Sequence, residues 1–495
     1  MNKEIQIYNS LSGKKDKFFS IREGVVGIYV CGPTVYSEVH LGNCRTFVFF
    51  DSVVRYFRHL GYKVRYVRNI TDVGHLENDA DQGEDKIAKK AKLEQLEPME
   101  VVQKYTQNFH DIMRLFNTVP PDIEPTATGH IMEQIETVQE IIKAGFAYVV
   151  NGSVYFDVIK YIENGFHYGE LSGRQIDELV SGSRDLEGQD DKKSPNDFAL
   201  WKKASQSHIM KWNSPWGLGF PGWHLECSSM SKKYLGDTFD IHGGGMDLKF
   251  PHHECEIAQG TSICGKKPVN FWMHGNMLTL NGKRMSKSTG NTILPEDLFS
   301  GDSIHLSKDF SPSVVRFFML QSHYRGVLDF SNEALVASEK GYNKLMNAYE
   351  VLKEFKSDES NLEKDLNFSI IKLCDSCYHN MNDDFNTPKV IANLFDLVSI
   401  INKLKKLGNF NSLNVDTLER LKYTFSSFVI DVFGFLENIQ QTNNLSDELI
   451  KMVLELRTKA KAEKDYETSD KIREDLVKLG VTIKDDKNGT TFTMN

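Results

Sequence analysis

No apolar run in this 495-residue chain approaches the length of a membrane span, which excludes a protein threaded through a bilayer by a hydrophobic helix. Positive charge is in short supply as well. Against 59 Lys and Arg stand 68 Asp and Glu, and the resulting net charge of −9 excludes a uniformly basic surface of the kind that would coat nucleic acid. The seven cysteines are scattered and odd in number, which argues against a disulfide framework. With no signal-peptide pattern at the start, they predict a reducing cytoplasm and no membrane partner. There is no internal repeat, no low-complexity tract and no Ser-His-Asp arrangement that would supply a nucleophile. What is left is a soluble globular chain long enough for three or four structural units.

Two short signals stand out. The first is His40-Leu41-Gly42-Asn43, which follows the β-branched run Val25 to Cys31, closed by Gly32-Pro33. After it, Cys44 to Phe57 has helical apolar spacing. A strand, a tight loop and a helix opening form a unit in which backbone N–H groups and the helix dipole meet a phosphate, so His40 and Asn43 are expected at an anion-binding end. Gly42 lets a nucleotide approach the backbone closely. The second signal, Arg284-Met285-Ser286-Lys287-Ser288, sits in a polar loop between Gly282 and Gly290-Asn291. Such a loop can bring Lys287 and Arg284 to charge developing on a phosphate.

Metal chemistry is suggested by Cys31, by Cys227 in Pro221-Gly222-Trp223-His224-Leu225-Glu226-Cys227, and by His252 and Glu256 in Pro251-His252-His253-Glu254-Cys255-Glu256. His252 and Glu256 are four apart and share a helix face. Two thiolates, an imidazole and a carboxylate suit Zn2+. Taken on residue type alone, Cys31 suits strand packing equally well, and His-His-Glu an exposed helix.

Together these segments resemble the class I aminoacyl-tRNA synthetases, whose HIGH and KMSKS elements match residues 40–43 and 284–288, with Asn43 in place of the last His and Arg284 in place of the first Lys. Both replacements keep the chemistry, because Asn donates hydrogen bonds and Arg retains the charge. Within that class the chain resembles the cysteinyl-tRNA synthetases, and this resemblance covers nearly all of it. It implies zinc held by Cys31, Cys227, His252 and Glu256, ATP with Mg2+, L-cysteine and tRNA(Cys) as partners, and a monomer. A substrate thiol ligates zinc far better than a serine hydroxyl does, so no editing domain is required. The resemblance also places Thr71 of Asn69-Ile70-Thr71-Asp72 and Trp223 against the amino acid, beside Cys31. It makes His242, Gly243, Gly244 and Asp247 of His242-Gly243-Gly244-Gly245-Met246-Asp247 nucleotide-site residues, His242 with a catalytic part. Residues 73–84 interrupt the family pattern before Asp85-Lys86-Ile87.

The remaining cysteines, Cys44, Cys255, Cys264 and the Cys374/Cys377 pair, read as small apolar fillers. The expected fold is α/β: a Rossmann-type parallel sheet in residues 1–120 and 213–270, split by a connective insertion at 121–212 with a helix near 130–144 and a hairpin at Asn151-Gly152. The stretch Ser181 to Asn196 reads as an exposed loop. The Lys287 loop and a tRNA-stem contact region at 271–335, a helical bundle at 336–440 and a small anticodon-binding module at 441–495 complete the chain. In that module Arg457, Lys459, Lys461, Lys464, Lys471, Arg473 and Lys478 stand among acidic residues in a mixed-charge run that by itself suits a solvated helix face, and the resemblance makes it an expected RNA contact. A rival reading, by analogy of the zinc and nucleotide sites, is a ligase joining cysteine to an amino sugar, though such enzymes lack the terminal module. A zinc hydrolase would need HExxH, and Ile257 stands where its second His belongs. A purely structural zinc protein that binds RNA leaves Arg284 to Ser288 unexplained. Removing residues 445–495 is expected to weaken charging of tRNA far more than activation of cysteine, measured as aminoacylation against pyrophosphate exchange; equal loss of both would refute the assignment of that module.

Overall fold

In this computed structural model the described residues are 4–73, 86–174, 191–206, 208–285, 291–303, 306–357, 359–408, 410–436, 441–479, 481–486 and 489–494. The interruption at 73–84, apart from Val73, lies outside them, as do Asp85, Ser286 to Gly290 with Lys287, and Ser181 to Asp190 of the expected exposed loop.

The centre of the first unit is a four-stranded parallel sheet. Its strands are β1 (Val25–Val30), β2 (Lys63–Arg68), β3 (Phe239–Gly245) and β4 (Val269–Gly275), in the order β4-β3-β1-β2. β1 reads as a near-continuous apolar run because a parallel strand is covered on both faces, and Ile28, Tyr29 and Val30 are wholly buried. Helix α1 (Leu41–His59) carries the chain from β1 to β2, whereas β3 joins β1 on its other side. The connections therefore diverge between β1 and β3, and the crevice at their carboxyl ends is where an open α/β sheet binds ligands. Helix α2 (Trp223–Leu235) precedes β3, and helix α3 (His252–Cys264) lies between β3 and β4.

The insertion is a five-stranded antiparallel sheet with the helix Ile131–Ala144 against it. Its hairpin turns at Asn151-Gly152, both with positive φ. The sheet runs on to Pro221, past the expected boundary at 212, because Gly217–Pro221 pairs with Phe198–Lys203 before the chain enters α2. The first half of the parallel sheet likewise reaches beyond 120, since Ile123 and Thr126 bridge to Val67 and Ile70, and β4 carries the second half beyond 270 to Gly275. Four helices, Asn332–Glu354, Lys364–Asn382, Thr387–Leu407 and Val415–Ser426, form the bundle. Cys374 and Cys377 are wholly buried in its core, and all seven cysteines are free thiols. The first compact unit ends at Phe435, five residues before the expected boundary at 440.

A buried ion pair joins α1 to the bundle side of the same unit. Arg316 and Asp51, each 1% exposed, meet directly, and Arg316 Nη1 also donates to the Phe116 carbonyl at 2.8 Å. The other oxygen of Asp51 accepts from Val119 N at 2.7 Å. Nearby Phe49 stacks on Tyr324 at 4.1 Å.

The second unit, Leu436–Asn495, contains the helices Gln441–Ala462 and Tyr466–Lys478 and an antiparallel hairpin of Val481–Asp486 with Gly489–Met494. Its core is Ile450, Leu454, Leu476, Val481 and Ile483. Arg457 is only 2% exposed and belongs to the interior, so it is removed from the set of basic residues offered to a partner. Among the described residues, no helix is long and apolar enough to cross a membrane.

Replacing Arg316 with Ala leaves the buried Asp51 carboxylate with Arg55 alone, whose Nε donates to it at 2.8 Å, and should lower the unfolding free energy of the first unit by about 1 to 3 kcal/mol. Denaturant titration is the check, and a loss below 1 kcal/mol would show that the pair is dispensable.

Candidate active site and metal centre

Cys31 leaves the end of β1 and points into the crevice. Its turn is fixed by the next residue: a Cβ on Gly32 would lie 1.5 Å from the Asn69 carbonyl oxygen, so only glycine fits. The Asn69 side chain completes the anchorage, its Oδ1 accepting from Gly32 N at 2.9 Å. Cys227 arrives from the first turns of α2, and His252 and Glu256 from one face of α3, as their spacing requires.

These four residues converge although the sequence separates them widely. Their ligand atoms all lie within 4.8 Å of one another and all four side chains are buried. Cys31 Sγ is 3.5 Å from Cys227 Sγ and 4.0 Å from Glu256 Oε1, and His252 Nε2 is 3.2 Å from the same Glu256 oxygen. Ligands at zinc's usual bond lengths in a tetrahedron stand about 3.3 to 3.8 Å apart, so the donor set fits that ion in softness and size. A second grouping, Cys31, His242, His253 and Glu256, shares two members. In it His242 Nε2 meets Glu256 Oε2 at 2.8 Å, a hydrogen-bond distance shorter than a tetrahedral edge. His242 and His253 therefore fit better as supports around the ligands, the role that hydrogen-bonded neighbours play at metal sites. His253 sits 3.3 Å from Cys31 Sγ by Nε2, while its Nδ1 meets His274 Nε2 at 2.8 Å and His274 Nδ1 meets Ser10 Oγ at 2.8 Å.

Burial sets the protonation of this cluster. The Cys31 thiol is pushed well above its ordinary value by desolvation first, then by Cys227 and Glu256, and Cys227 is raised chiefly by burial too. His253 is held well below the usual imidazole range by burial and by His242, His274 and His252, and burial lowers His274 to about 3. A cation in place of the thiol protons would compensate the charge of the buried thiolates.

Along the crevice, His40 caps α1, its Nδ1 accepting from Asn43 N at 3.3 Å. Gly42 leaves room for that imidazole, since a Cβ there would stand 3.1 Å from its ring. Leu41 N donates to Ile293 O at 3.1 Å, which ties this helix start to the segment following Ser286–Gly290. Arg284 lies in the short strand Lys283–Arg284, paired with Leu278–Leu280, and Lys287 is outside the described residues.

The structure places the glycine-rich segment differently from a simple nucleotide cradle. His242 is wholly buried and stacked on Trp272 at 4.6 Å, on the metal side. A Cβ on Gly243 would run into the Phe50 ring at 2.2 Å and one on Gly244 into His253 and Leu248 at 2.9 Å, so internal packing already demands these glycines. Asp247 folds its carboxylate back over Gly245. Trp223 packs its ring 4.5 Å from that of His252. Thr71 Oγ1 donates to Glu226 Oε2 at 2.9 Å and accepts from Asn69 Nδ2 at 3.1 Å, with all three residues buried. Sequence patterns had not singled out Asn69, Glu226, His253 and His274. The first three stand beside residues that were chosen, but only the fold shows which side chains point inward.

Glu254 turns away from the metal cluster, its carboxylate accepting from Ser172 N at 2.9 Å. That leaves it no role as a hydrolytic base and removes the zinc-hydrolase reading.

Residues 17–340 match the family described as tRNA synthetases class I (C) catalytic domain, and residues 377–437 match the DALR domain. Cysteine–tRNA ligase of Bacteroides fragilis is 52% identical over 498 residues, covering 100% of both chains. That of Porphyromonas gingivalis is 53% identical over 500 residues, again covering 100% of each. Among solved structures, Mycobacterium tuberculosis methionyl-tRNA synthetase in complex with methionyl-adenylate matches with a TM-score of 0.57 at 14% identity, over 84% of this chain and 91% of that one, a likeness of fold.

Because Cys31 and Cys227 hold their protons tightly, a thiophilic cation must displace them, and its apparent affinity should rise with pH by up to about two decades per unit below the thiol pKa values. Chelator competition for Zn2+ at several pH values measures this. An affinity independent of pH would mean that these thiols are not ligands.

Proposed function

The chain belongs to the class I tRNA synthetase (C) family, that of the cysteine–tRNA ligases, and on this premise we propose that it activates L-cysteine with ATP and transfers it to the 3′ adenosine of tRNA(Cys). The observation that carries the choice of amino acid is the convergence of Cys31, Cys227, His252 and Glu256 at the switch point of the sheet. Zn2+ held there would offer the substrate a soft Lewis acid that a thiolate satisfies and a serine hydroxyl does not.

The protein's own groups do the rest by positioning and electrostatics. ATP enters as its Mg2+ complex and lies along the start of α1, where His40 and Asn43 stand and Gly42 permits close approach. The cysteine carboxylate, oriented past Thr71 and Trp223, attacks the α-phosphate in line and expels diphosphate, giving cysteinyl-adenylate. His40, Arg284 and Lys287 stabilise the charge spread over the phosphate oxygens in that transition state. Gly243 and Gly244, packed from within by Phe50, His253 and Leu248, offer the adenosine only their main chain, beside Asp247, and His242 serves by holding Glu256. The ribose hydroxyl of the terminal adenosine then takes the cysteinyl group, AMP leaves, and no protein nucleophile is needed. The terminal unit presents exposed Lys459, Lys461, Lys464 and Lys471 among acidic residues, and these lysines are the groups that would meet tRNA phosphates. Relatives that span the whole chain, residues 441–495 included, support this reading over the amino-sugar ligase.

Incubation of total tRNA with ATP, Mg2+ and labelled cysteine should give acid-precipitable product, while labelled serine gives none. Lys287→Ala is expected to slow pyrophosphate exchange by about 10²- to 10³-fold with zinc content unchanged. Loss of zinc in that variant would show that nucleotide and metal roles are not separate.

A further inference from the structure

Arg45 stands in the second turn of α1, the helix that His40 caps, and the proposed reaction so far gives it no role. It is 4% exposed, and its acceptors among the described residues are main-chain carbonyls. Nη1 donates to Asn276 O at 2.9 Å and Met277 O at 2.7 Å, and Nη2 to His323 O at 3.2 Å and Gly326 O at 2.7 Å. Burial lowers its pKa to about 10, so the guanidinium is still charged at neutral pH. A charge buried against carbonyls is costly, and packing alone would be better served by an apolar side chain of the same volume. A planar fork of donors is required where carbonyls of separate segments must be kept at a fixed spacing.

Those segments are the two roots of the small sheet that carries Arg284. They are locked to each other first: Asn276 N donates to Tyr324 O at 2.7 Å and Asn276 Nδ2 to Arg325 O at 2.8 Å. From Met277 the chain runs straight into the strand Leu278–Leu280, and from Gly326 it reaches Leu328–Phe330, which pairs with that strand in parallel. Leu278–Leu280 then turns at Asn281-Gly282, both with positive φ, into Lys283–Arg284, where Thr279 stands opposite Arg284. Asp329 closes the turn, its Oδ1 accepting from Thr279 Oγ1 at 2.6 Å and from Gly282 N at 2.7 Å. Backbone pairing is therefore continuous from the carbonyls that Arg45 holds to the main chain of Arg284, and a helical turn connects Arg45 just as stiffly to His40. Resting on the cysteine-activating reading above, we propose that Arg45 is a positioning residue for adenylate formation, setting the strand Lys283–Arg284 at a fixed distance from His40 so that both reach the phosphates of ATP together.

The test is a double-mutant cycle on cysteine-dependent pyrophosphate exchange by the full-length enzyme, because a residue that acts through Arg284 has nothing left to position once that side chain is removed. Arg45→Gln should lower kcat by about 10- to 100-fold, the loss that follows from misplacing a group by about 1 Å. The KM for cysteine and the zinc content should stay within about twofold, and in the Arg284→Ala background the same substitution should lower kcat by less than about threefold. Arg45→Lys keeps the charge but replaces the fork by a single point, so its kcat should fall between those of Arg45→Gln and the unmodified enzyme, and it carries the cycle where Arg45→Gln does not fold. An equal loss of kcat in both backgrounds would show a merely structural role and overturn the proposal, as would an unchanged kcat or a loss of zinc in the single variant. Absence of cysteine-dependent exchange by the unmodified protein would overturn the underlying reading instead, and the proposal with it.

Discussion

Gly32 passes so close to the main chain of Asn69 that no side chain fits between them, and this contact sets the geometry of everything at the carboxyl end of the sheet. It fixes where the chain turns after β1 and hence where Cys31 points. It also presses the Asn69 amide into the gap, from which that amide reaches Gly32, Thr71 and the edge of Cys227. A parallel sheet provides an open crevice wherever its connections diverge, but a crevice by itself has no specificity. Here the shape of the crevice is set by a steric constraint one residue wide.

The interior of that crevice is electrostatically unusual. Two thiols, several imidazoles and the carboxylates of Glu226 and Glu256 lie where water does not reach. Such groups are costly to bury unless they are paired or coordinate a metal. Burial pushes the Cys31 thiol up and holds His253 and His274 below the usual imidazole range, and a hydrogen-bonded line runs from Cys31 through His253 and His274 to Ser10. The network keeps the four candidate ligand atoms within a few ångströms of each other.

Much of this was legible in the sequence. The strand before Gly32, the helix after His40 and the helix Ile131–Ala144 are long or sharply punctuated, so periodicity reveals them, and the four ligands belong to short motifs of recognisable chemistry. Boundaries were harder. The insertion continues to Pro221 because a strand pairing, invisible in the local pattern, holds Gly217–Pro221 against Phe198–Lys203. The roles of the glycines after His242 also escaped a linear reading. Their lack of side chains suggested room for a nucleotide, yet the space is filled from within by Phe50, His253 and Leu248. Arg457 was counted with its basic neighbours, although its position on the helix turns it into the interior. In each case a contact distant in sequence decides the outcome.

Helix α3 faces two ways. His252 and Glu256 look into the metal cluster, while Cys255 and Ala258 belong to the hydrophobic core of the insertion, and Glu254 holds the insertion's chain at Ser172. Nearly every residue from His252 to Gln259 is committed to one side or the other. In evolutionary terms the insertion is therefore not an accessory that can be exchanged or lost while the catalytic core stays as it is. A change in its packing is a change in the wall of the candidate metal cluster, and the two must drift together, so sequence divergence in this family should be slowest along this helix and faster on the outer strands of the insertion.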